Sequence, residues 1–169
     1  MLDLIIRNGQ CYIEGELKDV DVSVKDGKIQ DIGKITEECK DIIDAQGLTV
    51  LPGCIDTQTH FREPGSTDTE DLYSGSRAAI AGGITAVFEM PNTNPPTSNK
   101  KGCQRKWDLA KNRRYCNYAF YFGATADNAN ELANLKNLEG CCGIKLFAGS
   151  STGNLLVAEE KDIESVFEN

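Results

Sequence analysis

One histidine stands in a chain of 169 residues. That scarcity excludes any self-contained site needing two or more imidazoles, the common His-rich zinc sites among them. Positive charge is also short, with 18 basic against 26 acidic side chains and a formal net charge of -8. Nucleic-acid binding needs clustered Lys and Arg, so no nucleic-acid partner is expected. No run of about 18 apolar residues exists to span a membrane as a helix. The start, Met1 to Arg7, has an early acid and a short apolar run, without the basic flank and apolar core of a signal peptide. Cysteine is plentiful, but its useful spacings are missing. The seven residues (Cys11, Cys39, Cys54, Cys103, Cys116, Cys141, Cys142) form no C-x-x-C pair, and two of them are adjacent. That pattern makes neither a zinc knuckle nor a disulfide framework, and it predicts free thiols in a reducing cytoplasm.

What is present is an α/β pattern with a β-rich preface. Leu4-Ile5-Ile6, the alternating stretch Val20 to Val24, Lys28 to Gly33, Ile42-Ile43 and Leu48 to Leu51 read as short strands. Asp26-Gly27 supplies a hairpin turn between two of them. From about residue 50 strands alternate with helices. Thr49 to Ile55, Ile84 to Met90, Tyr115 to Phe122 and Cys141 to Phe147 are the strands; Thr69 to Ala81, Asn99 to Arg114, Asn128 to Leu138 and Ala158 to Phe167 are the helices. Four consecutive strand–helix units predict a parallel sheet covered by helices. An open doubly wound sheet and part of a (β/α)8 barrel share this period.

Four segments with chemical potential fall at or beyond strand C-termini, the edge where both architectures bind ligands. In Leu51 to Gly65, Gln58 and His60 are two apart and share a face of an extended strand, with Arg62 following at the rim. A His and an Arg there suit a metal and an anionic substrate; the structural alternative is a histidine hydrogen-bonded to Asp56. Met90-Pro91-Asn92-Thr93-Asn94-Pro95 is either a polar substrate loop or a plain proline turn. Lys145, inside the apolar run Gly143 to Phe147, is costly to bury unless paired or modified, and otherwise reaches solvent. Gly149-Ser150-Ser151-Thr152-Gly153 is a turn or an anion-binding loop, without the G-K-[ST] ending of a phosphate-binding loop.

Together these segments resemble the dihydroorotases of the amidohydrolase superfamily, from residue 3 to the end of the chain. The family pattern D-A-x-G-L-x-V-L-P-G-x-I-D-x-H-x-H-F-R-E-P-G runs here from Asp44 to Gly65, followed by Glu70 to Ala79, Ala81-Gly82-Gly83-Ile84-Thr85 and Met90 to Pro95. The F-R-E-P-G and M-P-N-T pairing points to dihydroorotase over dihydropyrimidinase, with allantoinase the closer competitor. The resemblance implies the first half of a (β/α)8 barrel of the TIM type preceded by a β-sandwich segment. Residues 1–52 would be the N-terminal part of that small sandwich, and residues 53–169 the first four βα units of the barrel. The family reaction is reversible cyclisation of N-carbamoyl-L-aspartate to L-dihydroorotate in pyrimidine biosynthesis, using zinc to activate a hydroxide. Carried over, His60 matches the second histidine of the H-x-H zinc motif. Arg62 and Asn92 match the residues that hold the substrate carboxylate. Lys145 matches the lysine that many members carboxylate to bridge two metals.

Two departures shape the functional expectation. Gln58 stands where the first zinc histidine belongs, and a neutral amide is a weak zinc ligand. The other two zinc histidines and the catalytic Asp belong to later strands, so no catalytic acid or base is assigned here. The expectation is a truncated dihydroorotase-like protein with a degenerate zinc site that neither holds zinc stably nor catalyses the reaction alone. Two alternatives stand beside it. One is half of a split enzyme that meets its small-molecule substrate only when another chain, or self-association, completes it. The other is a non-catalytic structural partner of aspartate transcarbamoylase.

Overall fold

The computed structural model describes residues 1–151 and 154–169. The chain divides into two compact units, Met1–Pro52 and Gly53–Asn169.

The first unit is built from strands β1 (Leu2–Arg7), β2 (Gln10–Ile13), β3 (Glu16–Asp19), β4 (Asp21–Lys25), β5 (Lys28–Gly33), β6 (Cys39–Asp44) and β7 (Thr49–Val50). One mixed sheet has the order β5-β4-β1-β6, with β6 parallel to β1 and the other pairs antiparallel. A smaller sheet runs β3-β2-β7. The hairpin at Asp26-Gly27 forms as expected, both residues having positive φ (51° and 71°), which matches the right-handed twist of the flanking strands. A second hairpin, β2–β3, was not expected. Its turn residues Glu14 and Gly15 adopt the same left-handed conformation (φ 53° and 90°), but Glu-Gly is a weaker turn signal than Asp-Gly. Leu2, Ile5 and Ile35 form the core cluster of this unit, with Cys39 packed against it.

The second unit carries β8 (Cys54–Thr59), α1 (Leu72–Ala81), β9 (Ile84–Glu89), α2 (Lys100–Ala110), β10 (Asn117–Gly123), a 3₁₀ segment (Ala129–Leu135), β11 (Cys141–Lys145) and α3 (Glu160–Glu168). The four strands form one parallel sheet in the order β11-β10-β9-β8. Each strand lies beside its neighbour in sequence, with no reversal of direction across the sheet. A doubly wound sheet reverses at a switch point, whereas sequential order is that of a barrel wall. Two core clusters fill the helix-covered side. Phe61, Leu72, Val87, Ala110, Cys116 and Phe120 make one. Phe122, Ala124, Ala129, Leu132, Leu135, Val166 and Cys103 make the other.

Three sequence expectations are corrected. The apolar run Thr49 to Ile55 is not one strand. Thr49–Val50 pairs with β2 in the first unit and Cys54–Thr59 belongs to the parallel sheet, Pro52 between them having no N–H to offer a ladder. The helix expected to reach Arg114 stops at Ala110, and Asn112 adopts a left-handed conformation (φ 60°) that no helix continues through. The segment 128–138 is a 3₁₀ helix over Ala129–Leu135. Leu132 and Leu135 are three apart, the period at which side chains eclipse on a 3₁₀ helix, and both are buried.

All seven cysteines are free thiols. Burial pushes Cys103 and Cys142 up to about 11, so both are protonated and unreactive near neutrality. No helix among the described residues is long and apolar enough to cross a membrane.

Candidate functional site

The C-terminal ends of β8 and β9 carry two loops that are stitched together. Met90 N–H donates to the Thr59 carbonyl (2.9 Å), extending the pairing past the strand ends. Asn94 N–H donates to the Pro64 carbonyl (2.9 Å) farther out. Gly65 sits at the closest approach. A Cβ there would lie 2.9 Å from the Asn94 Cβ, and its φ of 127° suits only glycine, so the motif residue lets the loops touch. On the second loop, Thr97 N–H returns to the Pro91 carbonyl and the Thr93 hydroxyl to the Pro95 carbonyl, both at 2.9 Å.

Between these loops lies a cavity of about 410 Å³ lined by Arg62, Pro64, Ser66, Asn92, Thr93, Asn94 and Pro96. Arg62 and Asn92, 30 positions apart in sequence, therefore share one concave surface. Arg62 has a left-handed backbone (φ 58°), a conformation a non-glycine residue holds only where its surroundings fix it. Arg offers a planar fork of donors and an amide carries both donors and an acceptor, so the lining has the chemistry to bind an anion.

His60 is joined to this cleft through Asn92, one of the residues that line it. Its Nδ1 is 2.9 Å from Asn92 Oδ1. The alternative partner, Asp56, accepts from the Gln58 N–H instead (3.0 Å). With the amide oxygen as acceptor, Nδ1 carries the proton and Nε2 presents its lone pair. Burial lowers the His60 pKa below its ordinary 6.5, and the cations Arg62, Lys106 and Lys145 act in the same direction, against the raising effect of the Asn92 bond. The imidazole is thus neutral at pH 7.

The remaining candidates are placed less favourably. Gln58 is exposed. The β8–β9 pairing shifts register between Asp56 and Thr59, so simple alternation does not carry through from Gln58 to His60. Lys145 is the last residue of β11, half-buried, with its ammonium 5.1 Å from the centre of the Phe147 ring. The Gly149 to Gly153 loop includes Thr152 and Gly153, which lie outside the described residues. For zinc this donor set does not fit. It offers one imidazole nitrogen, one amide and one ammonium, where a catalytic site needs three protein ligands with an open position. Among the described residues no three of His, Cys, Asp and Glu are grouped to hold a metal ion.

Sequence reasoning missed the groups beneath the site. Glu63, quoted in the F-R-E-P-G motif without a role, is buried. Its Oε1 accepts from Arg113 at 2.7 Å, and its Oε2 accepts from Arg113 at 3.2 Å and from the Leu72 N–H at the start of α1 at 2.9 Å. Glu89, Lys106 and Arg114 form a second set with fully buried side chains. Glu89 lies 3.7 Å from Lys106 and 3.5 Å from Arg114. Lys106 Nζ donates to the Met90 carbonyl at 2.9 Å. The Arg114 guanidinium stacks on Phe61 and Tyr118, at 4.8 and 5.0 Å from their ring centres. Burial raises the Glu89 pKa and lowers that of Lys106, each opposed by its partner. The signal was available, since a glutamate inside the apolar run Ile84 to Met90 needs a buried cation.

Residues 49–147 match the amidohydrolase family. The chain is 41% identical over 149 residues to the allantoinase of Escherichia coli O1:K1 / APEC, a match covering 88% of this chain and 33% of that protein. It is 36% identical over 170 residues to the dihydroorotase of Methanosarcina acetivorans, covering 99% of this chain and 36% of that one. The L-hydantoinase (dihydropyrimidinase) structure from Arthrobacter aurescens superimposes with a TM-score of 0.89 at 28% identity, covering 99% of this chain and 38% of the other. The chain thus spans about a third of the length of the curated relatives it matches. A sequential parallel sheet that matches a hydantoinase fold, and a family match across more than half of the residues, agree on one conclusion: the chain belongs to the amidohydrolase family.

Proposed function

We propose that this chain carries the carboxylate-holding part of a dihydroorotase-type active site and does not complete the reaction alone. The observation that carries the reading is the shared cavity of Arg62 and Asn92. Both N-carbamoyl-L-aspartate and L-dihydroorotate present a carboxylate that this pair is equipped to hold. His60, neutral, is anchored to Asn92 of the same cleft. The zinc donors that dihydroorotase chemistry requires are not assembled from His60, Gln58 and Lys145, so the metal-dependent step is assigned to groups beyond these residues. On this reading residues 1–52 are part of a small β-sandwich and residues 53–169 half of a barrel. Further strands, from the same polypeptide, a second copy or another chain, would complete the barrel, and the free thiols suit a cytoplasmic setting.

The test is titration calorimetry of the chain with L-dihydroorotate, N-carbamoyl-L-aspartate and allantoin, beside a turnover assay. The two carboxylates are expected to bind and lose affinity on Arg62→Ala, with turnover at the buffer level. Equal binding of dihydroorotate to the wild type and to Arg62→Ala sinks the reading. An allantoinase segment is the second reading, favoured by the 41% identity against 36%. Allantoin has no carboxylate, and its binding in preference to dihydroorotate selects that reading.

A further inference from the structure

We propose that helix α2 is a brace that sets the spacing of the two arms of the carboxylate cleft, Arg62 and Asn92, through Arg113 and Lys106. This rests on the reading that the cleft holds a carboxylate. Each arm is tied to α2 or to the turn that follows it. Arg113 grips both oxygens of Glu63, the residue next to Arg62, while the Leu72 N–H of α1 takes a further share of Oε2. Glu63 is thereby fixed from two helices, and the left-handed Arg62 backbone is held beside it. Arg113 is set in place by the turn after α2, its N–H donating to the Ala110 carbonyl and its NH1 to the Leu109 carbonyl.

The other arm is held from inside the sheet–helix layer. Lys106 donates to the Met90 carbonyl, and Met90 N–H pairs with the Thr59 carbonyl. His60 follows Thr59, and Asn92 lies two residues past Met90. The peptide that Lys106 holds therefore sets the register in which His60 Nδ1 meets Asn92 Oδ1. Stability alone does not account for a fully buried ammonium here, because well-packed apolar residues stabilise as well as or better than a buried ion pair. What the ammonium adds is a directional bond to a single carbonyl. The outer groups thus orient the inner ones, as supporting residues do beneath other binding sites.

The single histidine makes the test clean, because every imidazole nitrogen signal of the untagged chain reports His60. The measurements are ¹⁵N–¹H long-range imidazole spectra and dihydroorotate titrations for the wild type, Lys106→Met, Arg113→Lys and the exposed α2 control Lys101→Met. Lys106→Met is expected to shift His60 away from the Nδ1–H tautomer and to weaken dihydroorotate roughly tenfold. Arg113→Lys keeps the charge but loses the two-pronged grip. It is expected to weaken dihydroorotate by a similar factor with the His60 spectrum unchanged, and it keeps the proposal testable if Lys106→Met does not fold. Lys101→Met should match the wild type in both. Folded Lys106→Met and Arg113→Lys variants with wild-type affinity and spectra overturn the brace. If the wild type binds no dihydroorotate, the carboxylate reading fails separately. The brace is then supported by a His60 shift in Lys106→Met and overturned by its absence.

Discussion

The two units use charge in opposite ways. In Met1–Pro52 the ion pairs keep contact with water: Lys40 with Asp3, with side-chain exposures of 57% and 35%, Lys18 with Glu16, and the half-buried Arg7 with Asp21 at 33% and 22%. In Gly53–Asn169 the side chains of Glu89, Lys106 and Arg114 are wholly buried, and Glu63 nearly so. An exposed pair gains little in water, whereas a buried one must be complete or it destabilises the fold around it. The second unit therefore accepts at full burial a liability that the first meets only in part, at Arg7 and Asp21, and it does so beneath the loops that carry Arg62, His60 and Asn92. Burial at that place turns charge into a positioning device.

The contrast is largest at Glu89. Glu89→Ala leaves Lys106 and Arg114 buried side by side with no anion, and removing one member of such a set costs about 3–5 kcal/mol. Urea denaturation should show this as a large drop in the midpoint of the second unit. A loss under 1 kcal/mol would mean that the cluster is not buried in solution. Packing gives the next effect. Gly75, within α1, faces Phe61, and an added Cβ would come within 2.6 Å of the ring. Gly75→Ala is expected to cost about 1–3 kcal/mol by overpacking. Because Phe61 adjoins His60 and Arg62, the same variant should weaken dihydroorotate binding. A stability loss with unchanged binding would show that the ring relaxes away from the cleft.

These groups also explain what the sequence revealed and what it hid. Period and turn chemistry exposed β4, β5 and their Asp26-Gly27 hairpin, as well as α1 and β9, because each is written in contiguous residues. The alternation of strand and helix predicted a parallel sheet, yet only the observed sequential strand order separates a barrel wall from a doubly wound sheet, and strand order is non-local. Arg62 and Asn92 were singled out through motif resemblance, and their common cavity depends on Gly65 and Asn94 meeting across the loops. The His60–Asn92 bond was not legible because Asp56, four positions from His60, is the nearer acceptor in sequence but takes the Gln58 N–H instead. Lys106 and Arg113 fall in the segment read as a helix from Asn99 to Arg114, with no role assigned to either. Their partners are 16 and 50 positions away, beyond the reach of any local pattern.

A smaller effect follows from pH. The folded-state pKa of His60 is lowered below 6.5 by burial, so the unfolded chain binds this proton more readily. Its stabilising contribution is full above about pH 6.5 and is lost as the pH falls toward the folded value. The difference between wild type and His60→Gln isolates the histidine. Denaturation midpoints at pH 7.5, 6.5 and 5.5 should fall more steeply for the wild type. Parallel profiles would place His60 in water, outside the cleft.

The smallest expected effect belongs to the first unit. Asp3 accepts the Asp26 N–H at 2.7 Å and the Lys40 ammonium, and these bonds hold its pKa below the usual 3.8. Asp3→Asn keeps an oxygen for the Asp26 amide and removes only the ion pair. Both charges are solvated, so water and salt replace most of what is lost. The denaturation midpoint at neutral pH should stay where it is, and raising the salt to screening concentrations should move wild type and variant alike. A loss approaching that of Glu89→Ala would erase the distinction between the units, because it would show an exposed pair fixing the β1–β4–β6 register as firmly as a buried one fixes the cleft.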